Sequence, residues 1–176
     1  MTHAVFLDRD GVINRGVVHA GRPFAPRSLE EFELLPGVVE ALARLRAAGF
    51  LLVVVTNQPD VKRGLLVRSN VEAIHAQLRE RLPIDDVRVC YHDDQDRCAC
   101  RKPKAGMLLA AATEHEIQLD RSFMVGDRWR DVDAGKAAGC TTILVNRFPE
   151  ESRMEPDIEL ADLREAADWI TLRLRP

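Results

Sequence analysis

The sequence has no apolar run long enough to cross a membrane, and its first residues lack the charged region and apolar stretch of a secretory signal. It also lacks a surplus of positive charge, since 25 Lys and Arg stand against 28 Asp and Glu. These absences predict a cytoplasmic location and argue against nucleic acid or a membrane as a partner. The 176 residues, 46% of them hydrophobic, are expected to form one domain (1–176) that binds a small molecule. We expect a monomer, with an oligomer as the open alternative.

Cysteine is also scarce, and three of the four cysteines lie close together. Cys90, Cys98 and Cys100 share a short polar segment with His92, a spacing that suits metal ligation better than a disulfide framework. Three thiolates and an imidazole complete the tetrahedral ligand set of a structural zinc ion. The alternative is a coincidence of reduced cysteines beside a surface histidine. Cys140 stands alone and is predicted to be a core residue.

Short runs rich in β-branched residues alternate with longer segments of helical periodicity. This alternation predicts an α/β fold, a Rossmann-like parallel sheet with helices on both faces and no large cap domain. The predicted strands are Ala4–Leu7, Phe50–Thr56, Val87–Tyr91, Ser122–Val125 and Thr141–Val145. The predicted helices are Gly37–Ala48, Ser69–Arg81, Lys104–His115, Arg130–Ala138 and Asp162–Arg173. Loops are predicted at His19–Leu29 and Asn146–Pro156.

Polar clusters follow the predicted strands at the points where the strands end. In open α/β sheets, ligands bind beyond the carboxyl ends of the strands, where the strand order reverses. One rim of the sheet should therefore collect Asp8 and Asp10; Thr56, Asn57 and Gln58; Arg101 and Lys102; and Asp127 and Asp131. This coincidence predicts an active site at that rim.

The first cluster suits phosphate ester hydrolysis. Asp8 and Asp10 end a strand, and Gly11 permits the sharp turn that brings both carboxylates to one centre. One carboxylate can attack phosphorus to form an aspartyl-phosphate, while the other protonates the leaving oxygen and then deprotonates water. We assign Asp8 to the attack and Asp10 to the proton transfer. The alternative for an isolated Asp-x-Asp-Gly is a solvated surface turn.

Two carboxylates facing a phosphate dianion require a divalent cation, and magnesium prefers such oxygen ligands. Asp127 is predicted to bind this ion and Asp131 to support it. The alternative for Asp131 is an ordinary acid at a helix N-terminus. The phosphoryl group also needs fixed donors and positive charge, which Thr56 and Lys102 can supply.

The remaining candidates have fewer signals. Arg101 can make paired hydrogen bonds to a second anionic or hydroxyl group. Asn57 and Gln58 complete the predicted substrate-binding set. His19 is either a substrate contact or a solvated loop residue. Three other histidines have no visible partners and are predicted to be solvated or to lie on helix surfaces: His3, His75 and His115.

Four segments resemble the sequence motifs of haloacid dehalogenase-type phosphatases and occur in the same order along the chain: FLDRDGVIN, VVVTNQ, CRKPKAGM and MVGDRWRDVDAG. The similarity spans residues 4–145. The inserted loop at 90–100 resembles the zinc loop found in one branch of this superfamily, which contains the heptose-bisphosphate and histidinol-phosphate phosphatases. The resemblance implies a nucleophilic Asp8, an acid/base Asp10, and magnesium held by Asp8, the main-chain carbonyl of Asp10, and Asp127.

By the same resemblance, Thr56 and Lys102 hold the phosphoryl group and Arg101 helps to recognise the substrate. The segments KAGM and FELLPGV resemble the heptose-bisphosphate enzymes, and this resemblance implies hydrolysis of D-glycero-D-manno-heptose 1,7-bisphosphate at the 7-position. The compact zinc loop also resembles the histidinol-phosphate enzymes, so histidinol phosphate and other small phosphate esters stay open as substrates. Two further alternatives are phosphoryl transfer to an acceptor other than water and a non-catalytic, zinc-stabilised binding module.

Overall fold

The computed structural model describes residues 2–19, 22–146 and 155–173. Six strands form the main sheet: β1 (Ala4–Leu7), β4 (Leu51–Asn57), β5 (Asp86–Cys90), β6 (Phe123–Gly126), β7 (Thr141–Val145) and β8 (Ile158–Leu160). They are all parallel, in the order β5-β4-β1-β6-β7-β8. Two short strands, β2 (Val17–His19) and β3 (Arg22–Phe24), form a separate antiparallel pair.

Helices cover both faces of the sheet. They are α1 (Val38–Ala47), α2 (Pro59–Lys62), α3 (Arg68–Arg81), α4 (Gly106–His115), α5 (Trp129–Ala138) and α6 (Leu163–Leu172). Alternate residues of β1 point to opposite faces, so Val5 and Leu7 pack with α1, α3 and α6, while Phe6 packs with α4 and α5. The prediction of a Rossmann-like α/β sheet with helices on both faces is confirmed.

The predicted boundaries lie within one or two residues of the observed ones. β1 and β7 agree fully, and α4 shows the largest shift, since it begins at Gly106 and not at Lys104. In the described residues, the segment between β1 and β4 holds the β2–β3 pair and α1, and the segment between β4 and β5 holds α2 and α3, so neither contains a large cap domain. Among the described helices, none has the length and apolar character needed to span a membrane.

The loop predicted at His19–Leu29 is partly wrong, because β3 pairs with β2 there. Each of these strands has three residues, too few for an alternating pattern to be recognised, and Pro23 argues against a strand in all but edge positions. β8 is equally short and has no sequence signal of its own. Residues 20–21 and 147–154 and the side chain of His19 lie outside the described part, so the predictions for His19 and for most of Asn146–Pro156 stay predictions.

Candidate active site

A cavity of about 400 Å³ lies at the carboxyl ends of β1, β4 and β6. Parallel strands present these ends on one rim, which is why residues distant in sequence meet there. Eight predicted site residues line the cavity: Asp8, Asp10, Asn57, Gln58, Arg101, Lys102, Asp127 and Asp131. Thr56 is not among the described residues that line it.

The ammonium of Lys102 lies between two carboxylates. Its Nζ is 2.8 Å from Oδ1 of Asp8, 2.6 Å from Oδ1 of Asp131 and 2.8 Å from the carbonyl oxygen of Val55. An ammonium has three N–H donors, so each one makes a hydrogen bond. Burial alone would lower the pKa of Lys102, but Asp131 and Asp8 outweigh it and the pKa is raised. The side chain is therefore positively charged at neutral pH.

Three carboxylates converge around this lysine. Asp8, Asp127 and Asp131 each offer an oxygen within 4.8 Å of the other two. Burial raises the pKa of Asp8 to about 6, although Lys102 opposes the rise. Burial, followed by the charge of Asp8, raises the pKa of Asp127 well above its usual range. Oδ1 of Asp127 is buried and has no hydrogen-bond partner among the described residues. This donor set fits a hard divalent cation such as Mg²⁺.

Two glycines permit the close approach of these acids. Gly11 has a φ of +93°, and a Cβ on it would overlap Oδ2 of Asp127. A Cβ on Gly126 would overlap the side chain of Asp131. Asp131 also accepts a hydrogen bond from the N–H of Arg128 at the start of α5, 3.1 Å away. The helix-terminal interpretation of Asp131 and its place beside Asp8 are therefore both observed.

The carboxylate of Asp10 is bound by three other side chains. Arg9 donates from Nε and Nη2 at 3.0–3.2 Å, Asn14 donates from Nδ2 at 2.9 Å, and Gln58 donates from Nε2 at 2.8 Å. Burial would raise the pKa of Asp10, but Arg9 and these hydrogen bonds outweigh it and lower the pKa. Asp10 is therefore a carboxylate at neutral pH. The resemblance assigns the metal contact of Asp10 to its main-chain carbonyl, which would leave these hydrogen bonds intact.

Arg9 and His75 are buried residues of the site that the sequence analysis missed. Arg9 is completely buried, and its Nη1 lies 2.8 Å from Nε2 of His75. A guanidinium can only donate, so Nε2 accepts and the ring proton sits on Nδ1. Burial, followed by the charge of Arg9, lowers the pKa of His75 to about 3. The surface role predicted for His75 is wrong, and the spacing of Val71, Ile74, His75 and Leu78 on α3 was the available signal.

Asn57 and Gln58 position other site residues. The side chain of Asn57 donates to the main-chain oxygen of Lys102 at 3.0 Å and accepts from its N–H at 3.1 Å. Gln58 donates to Oγ1 of Thr56 at 2.8 Å as well as to Asp10. Thr56 is buried, so a direct contact between its hydroxyl and a phosphoryl group stays a prediction.

Arginine side chains collect at the cavity near the cysteine loop. Arg101 is nearly buried and donates from Nε to Oδ1 of Asp94 at 2.8 Å and from Nη1 to the carbonyl of His92 at 3.3 Å. Arg63 and Arg130 also line the cavity. The sequence contains no pattern that singles out Asp94 or Arg130, because they lie on separate segments.

The four predicted zinc ligands lie together. Sγ of Cys90 is 3.7 Å from Sγ of Cys98 and 3.1 Å from Sγ of Cys100, and Nδ1 of His92 is 3.3 Å from Sγ of Cys100. Zinc–sulfur bonds of about 2.3 Å in a tetrahedron place sulfur atoms about 3.7 Å apart. The observed sulfur–sulfur distances of 3.1 and 3.7 Å are far longer than the bond of a disulfide, about 2.05 Å. The residues therefore fit a structural zinc ion.

Comparison with known proteins identifies the family. The family model described as HAD-hydrolase-like matches residues 99–166. A D-glycero-beta-D-manno-heptose-1,7-bisphosphate 7-phosphatase of Helicobacter pylori is 36% identical over 176 residues, which cover 95% of this chain and 96% of the relative. A D-glycero-D-manno-heptose-1,7-bisphosphate 7-phosphatase of Thermosynechococcus vestitus is 37% identical, with 98% and 97% covered.

A solved structure agrees with these relatives. The crystal structure of D,D-heptose 1,7-bisphosphate phosphatase from B. bronchiseptica, complexed with magnesium and phosphate, has a TM-score of 0.85 and 31% identity. The match covers 98% of this chain and 99% of that one. The predicted phosphatase class is confirmed, and the chain belongs to the haloacid dehalogenase-like hydrolases, within the family of the heptose-1,7-bisphosphate phosphatases.

Proposed function

We propose that the chain is a magnesium-dependent phosphatase that removes the 7-phosphate from D-glycero-D-manno-heptose 1,7-bisphosphate. The names of the relatives support this substrate, and the B. bronchiseptica structure with magnesium and phosphate supports the cofactor. One observation carries the proposal: the buried carboxylate of Asp8 is bonded to Lys102 and lies beside Asp127, whose Oδ1 has no partner among the described residues.

In this mechanism an oxygen of Asp8 attacks the phosphorus of the 7-phosphate. A bond forms between that oxygen and phosphorus, the ester P–O bond breaks, and Asp10 gives a proton to the leaving sugar oxygen. Water then attacks the phosphorus, Asp10 takes its proton, and the bond to Asp8 breaks to release inorganic phosphate. Asp8, the main-chain carbonyl of Asp10 and Asp127, with Asp131 in support, would hold a magnesium ion, which would supply positive charge to the phosphoryl oxygens.

Asp10 has to gain its proton when the substrate binds, because Arg9 holds this side chain as a carboxylate in the free enzyme. A phosphate dianion favours protonation, since a nearby negative charge raises the pKa of a carboxyl group. The Asp10 side chain is 22% exposed, so solvent can supply the proton. Arg9 and Gln58, which bond to this side chain, would keep the protonated group in place.

Lys102 supplies the fixed positive charge of the phosphoryl site. Its main chain is held by Asn57 and its ammonium by Asp8 and Asp131, so its position is set before the substrate arrives. We assign Thr56, bonded to Gln58, to the same phosphoryl site.

The arginines of the cavity favour a bisphosphate. Arg63, Arg101 and Arg130 line the cavity that Asp8 also reaches, and guanidinium groups bind phosphate by paired hydrogen bonds. A sugar that carries a phosphate at each end can place one at Asp8 and the other at these arginines. Histidinol phosphate carries a single phosphate and a cationic amine, which the arginines would repel.

We also propose that Cys90, His92, Cys98 and Cys100 bind a structural zinc ion. This ion would hold the loop 90–100 within the single domain and fix the main chain that leads into Arg101 and Lys102. The support is the close grouping of four ligand atoms whose chemistry suits zinc. Its role would be to position these residues. Their position matters because a displacement of about 1 Å at a substrate-holding group can lower the rate about a hundredfold.

The test is magnesium-dependent phosphate release from heptose 1,7-bisphosphate by wild type and by Asp8→Asn. We expect kcat to fall by about three orders of magnitude or more, because the nucleophile is lost. Asp133→Asn, an exposed acid on α5, removes the same charge and should keep wild-type kcat. Circular dichroism checks that each variant folds, and turnover by Asp8→Asn equal to that of wild type would contradict the proposal. Assays with histidinol phosphate and nucleotides test the substrate.

A further inference from the structure

The carboxylate of Asp94 is shared by three guanidinium groups. Arg101 donates from Nε to Oδ1 at 2.8 Å and from Nη2 to Oδ2 at 3.4 Å. Nη2 of Arg130 lies 3.7 Å from Oδ1, and Nη2 of Arg63 lies 4.0 Å from Oδ2. All four side chains line the cavity. One acid therefore gathers arginines from the end of α2, from the segment after the cysteine loop and from the first turn of α5.

These contacts are not those of an ordinary buried ion pair. The Asp94 side chain is 62% exposed, whereas the Arg101 side chain is only 7% exposed. A solvated carboxylate adds little to folding stability, but it can orient the donors that face it. Asp94 and the carbonyl of His92 take three of the five N–H groups of Arg101, and two stay available in the described part of the chain.

The charge balance leaves room for an anion. Asp60, which also lines the cavity, bonds to Arg63 at 3.2 Å. Asp60 and Asp94 together compensate two of the three arginine charges, so the group keeps a net positive charge. Without Asp94, the guanidinium groups would repel one another and Arg101 would lose its main orienting contact.

We propose that Asp94 is a positioning residue, which holds Arg63, Arg101 and Arg130 together to receive the second anionic group of the substrate. This inference rests on the proposed function, since it assigns the arginine group to the phosphate that is not hydrolysed. The loop that carries Asp94 is the one that contains His92, Cys98 and Cys100, so the cysteine loop contributes directly to the choice of substrate. A competing role, in which Asp94 occupies the anion's place and weakens binding, predicts the opposite effect on KM.

The experiment compares heptose 1,7-bisphosphate with heptose 7-phosphate, which lacks the second phosphate. For each protein, the ratio of kcat/KM for the two esters measures recognition of the second anion. We expect Asp94→Asn to reduce this ratio about tenfold, mainly by raising KM for the bisphosphate, and Asp94→Glu to restore part of it. Asp96→Asn is the matched control, because Asp96 lies on the same loop but pairs with Lys62 at 3.3 Å. Zinc content is measured for every variant.

The outcomes separate the two proposals. A ratio unchanged in Asp94→Asn, or a lower KM for the bisphosphate, would overturn the positioning role and leave the phosphatase activity standing. A wild-type enzyme that hydrolyses both esters equally well would show that the arginines do not recognise the second phosphate, and this also overturns the inference. No hydrolysis of either ester by wild type would contradict the proposed function and the inference with it.

Discussion

Nζ of Lys102 donates a hydrogen bond to Oδ1 of Asp8 at 2.8 Å, although 94 positions separate the two residues in the chain. The same ammonium is 2.6 Å from Asp131, so one positive charge faces a group of three carboxylates. This relationship positions the assigned nucleophile and at the same time opposes the rise in its pKa that burial causes.

Replacement of Lys102 by methionine keeps most of the side-chain volume and removes the charge. We expect kcat to fall by about a hundredfold to a thousandfold, because the fixed positive charge of the phosphoryl site is lost. We also expect a loss of stability of about 3 kcal/mol, because two largely buried carboxylates lose their partner. Phosphate release and urea unfolding measure the two effects. Lys136→Met, at an exposed lysine of α5, is the control that should change neither.

Asp127→Asn should stabilise the fold when no magnesium is added. The raised pKa of Asp127 means that the folded state binds more protons than the unfolded state, so its charge lowers stability as pH rises. The gain of the variant over wild type should therefore be larger at about pH 8 than at about pH 5. Added magnesium should raise the melting temperature of wild type but not of the variant. Equal magnesium responses would show that Asp127 does not bind the ion.

His75 should make the protein sensitive to acid. Its folded pKa is lowered from 6.5 to about 3, so between these values the unfolded state binds the extra proton and stability falls as pH falls. His75→Gln keeps an acceptor for Arg9 and cannot be protonated. We expect the variant to lose less stability than wild type between pH 6.5 and about 4, with a slope difference of up to about 1.4 kcal/mol per pH unit. Urea unfolding across this range checks it, and parallel curves would contradict it.

Purified wild type should contain about one zinc ion per chain. Cys98→Ser should lower this occupancy, reduce the melting temperature and raise KM, because structural zinc stabilises the fold and here precedes Arg101. Cys140→Ala is the matched control, since Cys140 is a buried cysteine outside the cluster and its replacement should leave the zinc content unchanged. Elemental analysis that finds no zinc in wild type purified in reducing buffer would refute the site.

A comparison of alanine variants at Gly11 and Gly49 separates the effect of backbone strain from the effect of crowding in the site. Both have a positive φ, at +93° and +90°, so alanine at either position should cost about 1–2 kcal/mol. Only at Gly11 would the new Cβ overlap the carboxylate of Asp127, whereas nothing lies within 4 Å at Gly49. Gly11→Ala should therefore lower kcat by about a hundredfold or more, and Gly49→Ala should not. Similar kcat values for the two variants would contradict this account.

Local patterns predicted most of the fold. The run Leu52–Val55 is apolar because β4 is buried on both faces, and periodicity of 3.6 residues marked the five long helices. The three-residue strands β2, β3 and β8 escaped prediction because so few residues show no period. Such strands are recognised only from their partners, since β2 pairs with β3 and β8 pairs with β7.

The sequence by itself determined which chemical groups follow which strands. It predicted Asp8, Asp127 and Lys102 at one rim and brought four zinc-type ligands into one short loop. Both follow directly from the sequence, because it gives the order of the strands along the chain and the spacing between nearby residues. Only the tertiary structure decided the pairs that hold those groups, such as Arg9 with His75 and Arg101 with Asp94. The physical reason is that hydrogen bonds require atoms within about 3 Å, and the sheet register and helix packing that set such distances are not encoded in any local pattern.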